Sequence, residues 1–375
     1  MKFNTIPLFK VFGIQINLDY SWFIVFFLIT FTLAVGYFPY YYPGYNILVY
    51  WIAGAVSAIL LFASVLIHEL AHSLVALHYK IPVREINLFI FGGVAMIEEE
   101  PPSPKVEFRI AIAGPVMSFI LGTFFYILVL IYPQDDLLNG ILNYMMIVNY
   151  IIAFFNLVPA FPLDGGRILR AIIWSRSSSI LKATKVSSTT GKFFAYFLIF
   201  IGLLSFIEGS FINGIWYILI GLFLLQAAKA SYEQTKLSII LSKYKVEHFM
   251  RPIKPVLYNE TVHDVMTHYV PFFHLKTVPI IGDDGKYYIA DVEDILALPR
   301  EKWHEIPIIQ VAKPIEIYVS PYDPLIKAKK LMDNFNLDEL PVIYQNTFLG
   351  IIKKEPIESL IQEFIIKEMA HEQRR

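Results

Sequence analysis

Apolar residues along this chain gather into long, nearly charge-free runs as far as residue 230, and into short alternating patterns after it. Runs at about 21–38, 47–78, 110–132, 137–157, 193–207 and 211–228 predict membrane-spanning helices. A hydrocarbon core of about 30 Å needs roughly twenty residues at 1.5 Å each. The second run exceeds that, so its C-terminal end is expected near or beyond one interface. The fifth is the shortest, and its limits are the least defined by hydropathy. Before the first run, Phe12, Ile14, Ile16 and Leu18 alternate with smaller or polar residues, which predicts a strand. Pro39, Pro43 and Gly44 break the chain after the first span, in a Tyr-rich stretch suited to a membrane interface. Residues 86–96 predict a strand and a tight turn, followed by Glu98, Glu99, Glu100, Pro101 and Pro102. Residues 165–192 are basic and rich in Ser and Thr, and predict a polar connection.

Composition agrees with the pattern. Of 375 residues, 56% are hydrophobic and only 17% charged, far too apolar for an ordinary soluble protein. The net charge of −1 gives no bulk electrostatic reason to bind nucleic acid. The absence of cysteine excludes disulfides and every thiolate metal site, and leaves the redox compartment unread. The first twenty residues lack the pattern of a cleaved signal peptide, so the first span is expected to stay as an anchor. Charge then orients the spans. Lys2 and Lys10 precede the first; Lys80, Arg84, Lys105 and Arg109 lie between the second and third. Arg167, Arg170, Arg176, Lys182, Lys185 and Lys192 lie between the fourth and fifth, and Lys229 and Lys236 follow the sixth. The other three connections contain no Lys or Arg. Basic residues mark the cytoplasmic side. The expectation is a multi-pass protein of the cell membrane with both termini in the cytoplasm.

The chemistry is concentrated near the end of the second span, at Ile67-His68-Glu69-Leu70-Ala71-His72. Histidines at i and i+4 share one helix face and can offer two imidazoles to one cation. Glu69 beside them can take a proton from water that the metal activates. The alternative, two incidental histidines, weakens inside an apolar segment, where ionisable groups are costly. Two histidines leave a tetrahedral site underfilled. Asp164 is the first charged residue after residue 137, at the inward end of the fourth span, and so reaches the level of the histidines. Pro159 and Pro162 halt the helix before it, and Gly165 and Gly166 permit a sharp turn. Asp164 could also serve only to cap a helix beginning near Arg167. Two histidines and one carboxylate favour zinc, one ion per chain. A transporter is the competing reading: Asn143, Asn149 and Asn156 recur along the fourth span, roughly on one face. The ionisable groups, however, gather at one level instead of lining a path.

His68-Glu69-x-x-His72 together with Asn156-x-x-Pro159-x-x-Pro162-x-Asp164-Gly165 resembles the site-2 protease family of intramembrane zinc metalloproteases, over roughly residues 1–230. Phe91-Gly92-Gly93 resembles its membrane-embedded loop, and Ala113-Gly114-Pro115 with Ser118 its small-residue packing in the third span. The resemblance implies that His68, His72 and Asp164 bind zinc and that Glu69 is the general base. It also implies that Asn156, Gly92 and Gly93 help position substrate. The reaction implied is hydrolysis of a peptide bond in or near a transmembrane segment of a membrane protein, with the lipid bilayer as surroundings. The strand-like residues before Phe91 would offer an edge to an unwound substrate.

Residues 231–375 contain two similar units, at about 246–304 and 309–365. Thr277-Val278-Pro279-Ile280-Ile281 in the first corresponds to Glu339-Leu340-Pro341-Val342-Ile343 in the second. The repeat is similar to a tandem pair of CBS domains. The expected fold is therefore a membrane all-α core of about six transmembrane helices with a small β element, followed by a soluble α/β CBS pair. The likeness implies a regulatory or docking module, an adenine nucleotide as ligand and homodimerisation through the CBS pair. The nucleotide motif departs from the family pattern. Lys353 and Pro356 stand where a hydroxyl and an acid are usual, and Asp294 keeps the acid without the glycine or hydroxyl. Asp294 is the residue left to hold a ribose, or it is an ordinary carboxylate at a helix start.

Overall fold

Among the described residues, six helices long and apolar enough to cross a membrane dominate the stretch up to residue 242. The structure is a computed structural model and describes residues 5–90, 92–97 and 100–372. Lys2, Phe91, Glu98 and Glu99 of the sequence reading lie outside these. The chain divides into two compact units, Met1–Thr235 and Lys236–Arg375.

The first unit opens with a hairpin, β1 (Thr5–Val11) and β2 (Ile14–Asp19). Phe12, expected within a strand, sits in the turn instead. It and Gly13 have φ of +51° and +82°. A two-residue turn with both φ values positive is the one that suits a twisted antiparallel pair. Then come α1 (Ser21–Tyr41) and α2 (Ile47–His78). A side-chain cap from Asn46 to the Leu48 N–H starts α2. At 32 residues α2 is about 48 Å long, well over the hydrocarbon thickness.

The chain returns in β3 (Val83–Phe89), folds back in β4 (Gly92–Ile97), and continues in α3 (Pro104–Ile131) and α4 (Leu137–Asn156). The sheet order is β1-β2-β3-β4, with β2 and β3 parallel and the other pairs antiparallel. Parallel neighbours need a crossover, and here two membrane helices, α1 and α2, supply it. Ile14, Ile16, Leu18, Ile86 and Leu88 bury one sheet face with Ala76, Ile81 and Ile110, against Val65, Leu66 and Leu70 of α2. The sheet is thereby clamped to the helix that carries the histidine motif, and β4 is left at its edge.

Helices α5 (Asp164–Ser177), α6 (Ile180–Ile207) and α7 (Phe211–Ser242) follow. The fifth span thus begins at Ile180, not near 193, and part of the expected polar connection is helix. Ala183, Thr184, Ser187, Ser188 and Gly191 form a buried stripe at helical spacing. Hydropathy does not register a face made of small and hydroxyl side chains, whereas packing does. A Cβ at Gly191 would lie 2.2 Å from the Phe161 carbonyl oxygen, so residues 157–163 can press directly on this face.

The second unit is α/β, with two sheets ordered β5-β11-β10 and β6-β7-β8-β9 once its strands are numbered along the chain. These are β5 (Met250–Arg251), β6 (Val256–Leu257), β7 (Thr277–Ile281), β8 (Tyr287–Asp291), β9 (Lys313–Pro314), β10 (Glu339–Tyr344) and β11 (Thr347–Lys353). The hairpins β7–β8 and β10–β11 are the cores of the two repeats. Each sheet borrows an edge: β5, at the start of the first repeat, pairs with β11, and β9, at the start of the second, pairs with β8. At equivalent places in the two repeats, Lys276 donates to Asp338, and the buried Glu339 accepts from the Lys276 and Thr277 amides at 3.0 Å. The hydrogen bond from Lys276 holds the Asp338 carboxyl below the usual carboxylate range.

Candidate metal centre

The three groups singled out from the sequence meet in the first unit. His68 and His72 face inward from adjacent turns of α2, and Asp164 opens α5. All three are buried, at 4%, 3% and 8% exposure. Asp164 Oδ2 lies 3.2 Å from His68 Nε2 and 3.0 Å from His72 Nε2, and the two Nε2 atoms are 3.2 Å apart. Arg167 Nη1, one turn along α5, is 3.8 Å from the other Asp164 oxygen.

What faces the far side of each imidazole decides what the cluster can hold. His72 Nδ1 is 2.6 Å from the Ile110 carbonyl oxygen. A carbonyl only accepts, so Nδ1 carries the proton, and the Nε2 of a neutral ring turns a lone pair inward. His68 Nδ1 is 2.8 Å from Ser118 Oγ, which allows the same tautomer. With that tautomer in both rings, two imidazole lone pairs and a carboxylate oxygen converge with no proton among them. Such a triad is repulsive unless a cation sits between its members. The separations also fit: ligands at about 2.0–2.1 Å around tetrahedral zinc are roughly 3.3 Å apart. The space exists beside Gly114 of α3, where a Cβ would lie 2.2 Å from His72 Nε2 and 2.5 Å from His68 Nε2.

Helix α3 is thus the template of the site. Ile110, Gly114 and Ser118 recur at helical spacing on one buried face. They orient one ring, leave room, and orient the other. The sequence reading noted Gly114 and Ser118 only as small packing residues. Their four-residue spacing, matching that of the histidines on α2, was the available signal.

Glu69 is half-buried on α2, beside the pair. Gly93 of β4 lies against it: a Cβ there would come within 2.6 Å of Glu69 Cγ. Gly92 has φ +131°, a conformation that side chains disfavour, and begins β4 after the turn. The segment from α4 to α5 is short and tightly packed. Cβ atoms at Gly165 and Gly166 would meet the backbone of residues 157–161 at 2.3–2.4 Å. Asn156 closes α4 but makes no hydrogen bond to the cluster among the described residues. Asp294, in the second unit, is exposed and accepts from Lys313 Nζ at 2.7 Å.

Residues 56–141 and 134–201 match the model of peptidase family M50. A protein of Synechocystis named as a zinc metalloprotease is 31% identical over 368 residues, 96% of both chains. This chain belongs to peptidase family M50. Among solved structures, the site-2 protease from Methanocaldococcus jannaschii is 38% identical and covers 61% of this chain and 95% of its own, with a TM-score of 0.45. CBSX2 in complex with AMP covers 32% of this chain and 98% of its own at 20% identity, with a TM-score of 0.29. The M50 protein is therefore a multi-pass membrane metalloprotease with zinc as its cofactor. The transporter reading falls with that assignment.

Proposed function

We propose that His68, His72 and Asp164 bind the single zinc ion and that Glu69 is the general base. The reaction is hydrolysis of a peptide bond in or near a transmembrane segment of a membrane protein. The observation that carries this reading is the convergence of three lone-pair donors within 3.2 Å, with the His72 proton committed to Ile110. When bound, zinc supplies Lewis acidity, which makes water nucleophilic near neutral pH and polarises the scissile carbonyl. The protein's part is positional. Ile110 fixes the His72 tautomer, Ser118 holds the His68 ring, and Asp164 completes the donor set. The Glu69 carboxylate takes a proton from the attacking water and returns it to the departing amide nitrogen. Asn156 helps to hold the substrate backbone, as the family resemblance implies.

Metal analysis tests the ligand set without any substrate. Purified wild type is expected to carry about one zinc per chain, and Asp164→Ala to lose it or bind it far more weakly. Equal zinc content in both would remove Asp164 from the site.

The edge strand β4 is the substrate's guide. A membrane helix hides its amides, so the scissile segment must unwind, and an exposed edge offers replacement hydrogen bonds. Gly93 keeps that edge within reach of Glu69. Gly93→Val is expected to push the Glu69 side chain aside and to lower cleavage about a hundredfold with zinc retained. Unchanged cleavage of a single-span test peptide would sink the idea.

The distribution of Lys and Arg supports a cell-membrane protein with both termini in the cytoplasm. The second unit is its regulatory or docking module. The exchange of β5 and β9 between its repeats supports one cooperative α/β body. An adenine nucleotide is its candidate ligand, and a second copy of the chain its candidate partner. For Asp294 to hold a ribose there, Lys313 must first release it.

A further inference from the structure

We propose that the buried pair Glu107–Arg170 is a positioning device that fixes Asp164 against the two histidines. The proposal rests on the ligand set given above. Glu107 lies in the first turn of α3 and is 0% exposed; Arg170 lies in α5, six residues beyond Asp164, and is 8% exposed. Arg170 Nε donates to Glu107 Oε1 at 2.5 Å, and an Nη of the same guanidinium contacts the same oxygen. The guanidinium also lies over the Phe161 ring, 5.1 Å from its centroid. Phe161 belongs to the segment that leads into Asp164. One cation therefore ties together α3, α5 and the loop that delivers the carboxylate.

Its place on α3 gives the pair its meaning. Glu107 is one turn before Ile110, which orients His72, and precedes Gly114 and Ser118 on the same buried face. The two imidazoles are set by α3 directly. The third ligand comes from another helix, and Glu107–Arg170 references that helix to the same template.

Stability alone is a poor account of the pair. A buried ion pair is often no better than apolar side chains of similar volume, and Glu107 Oε2 has no hydrogen-bond partner among the described residues. Its contribution is to be sought in geometry.

The test uses the full-length protein in detergent, with zinc alone as the probe. Glu107→Leu combined with Arg170→Met removes both charges together and leaves neither stranded. Zinc affinity is measured by chelator competition, and folding by thermal unfolding of the metal-free protein. The double variant is expected to unfold near the wild-type temperature and to bind zinc at least about tenfold more weakly, as expected when ligand-orienting partners are lost. Adding Asp164→Ala should then weaken binding no further than Asp164→Ala alone. Should the apolar pair misfold, Glu107→Gln with Arg170→Gln takes its place under the same criteria. A folded double variant that binds zinc within twofold of wild type, beside a weak Asp164→Ala, overturns the positioning role alone. Tight binding by Asp164→Ala itself overturns the ligand set and this proposal with it.

Discussion

A Gly114→Ala protein is expected to bind zinc about a hundredfold more weakly, if it retains any, and to cleave nothing. The added methyl would stand 2.2 and 2.5 Å from the two Nε2 atoms, closer than any carbon can approach them. Something must shift, and both ways out damage the site. Rings that move away lose Ile110 and Ser118, which hold them in orientation. Rings that stay meet carbon where a cation is needed. Loss of orienting contacts alone costs about 10- to 100-fold in metal affinity, and blocked space adds to that. The measurement is zinc per chain after gel filtration, with chelator competition for the residual affinity. Folding is checked by thermal unfolding without metal. One zinc held with wild-type affinity would show that the ion lies elsewhere.

Glu69→Gln should separate binding from chemistry. The amide matches the carboxylate in size, so it keeps its place against Gly93. It cannot accept a proton from water. Zinc is expected to remain at about one per chain, because Glu69 is outside the converging triad. Cleavage of a single-span peptide, followed by mass spectrometry, is expected to fall about a thousandfold, within the usual range for loss of a general base. Activity within tenfold of wild type would assign the proton transfer to another group. The two variants form a pair: one loses metal and activity together, the other activity alone.

The parts of this site legible in the sequence were those that depend on type and spacing. His68 and His72 are four apart on a helix, and Asp164 is the first charge after an uncharged span. Six spans and a strand–turn before the third span follow from hydropathy and alternation, and the structure has both. What escaped depends on proximity between helices. Ile110 acts through its carbonyl, which any residue possesses, so no side chain announces it. Arg170 reads as one more basic residue of a connection, and Glu107 carries no signal of its own, until the two are found buried against each other. The early start of α6 escaped for a related reason. Its buried face is Ala, Thr, Ser and Gly, and only its fit against Phe161 shows why such residues belong there.

With Asp164 as the proposed third ligand and Glu69 as the proposed base, the division of the site between α2 and α5 also sets when this enzyme can first act. Asp164 is made ninety-six residues after His68. At usual rates of synthesis that is an interval of roughly 5 to 20 seconds. Throughout it, the growing chain carries two imidazoles and a base but no third donor. The nascent chain is thus a protease without a working centre. Hydrolytic competence begins only when α5 docks, after four of its six spans have been made.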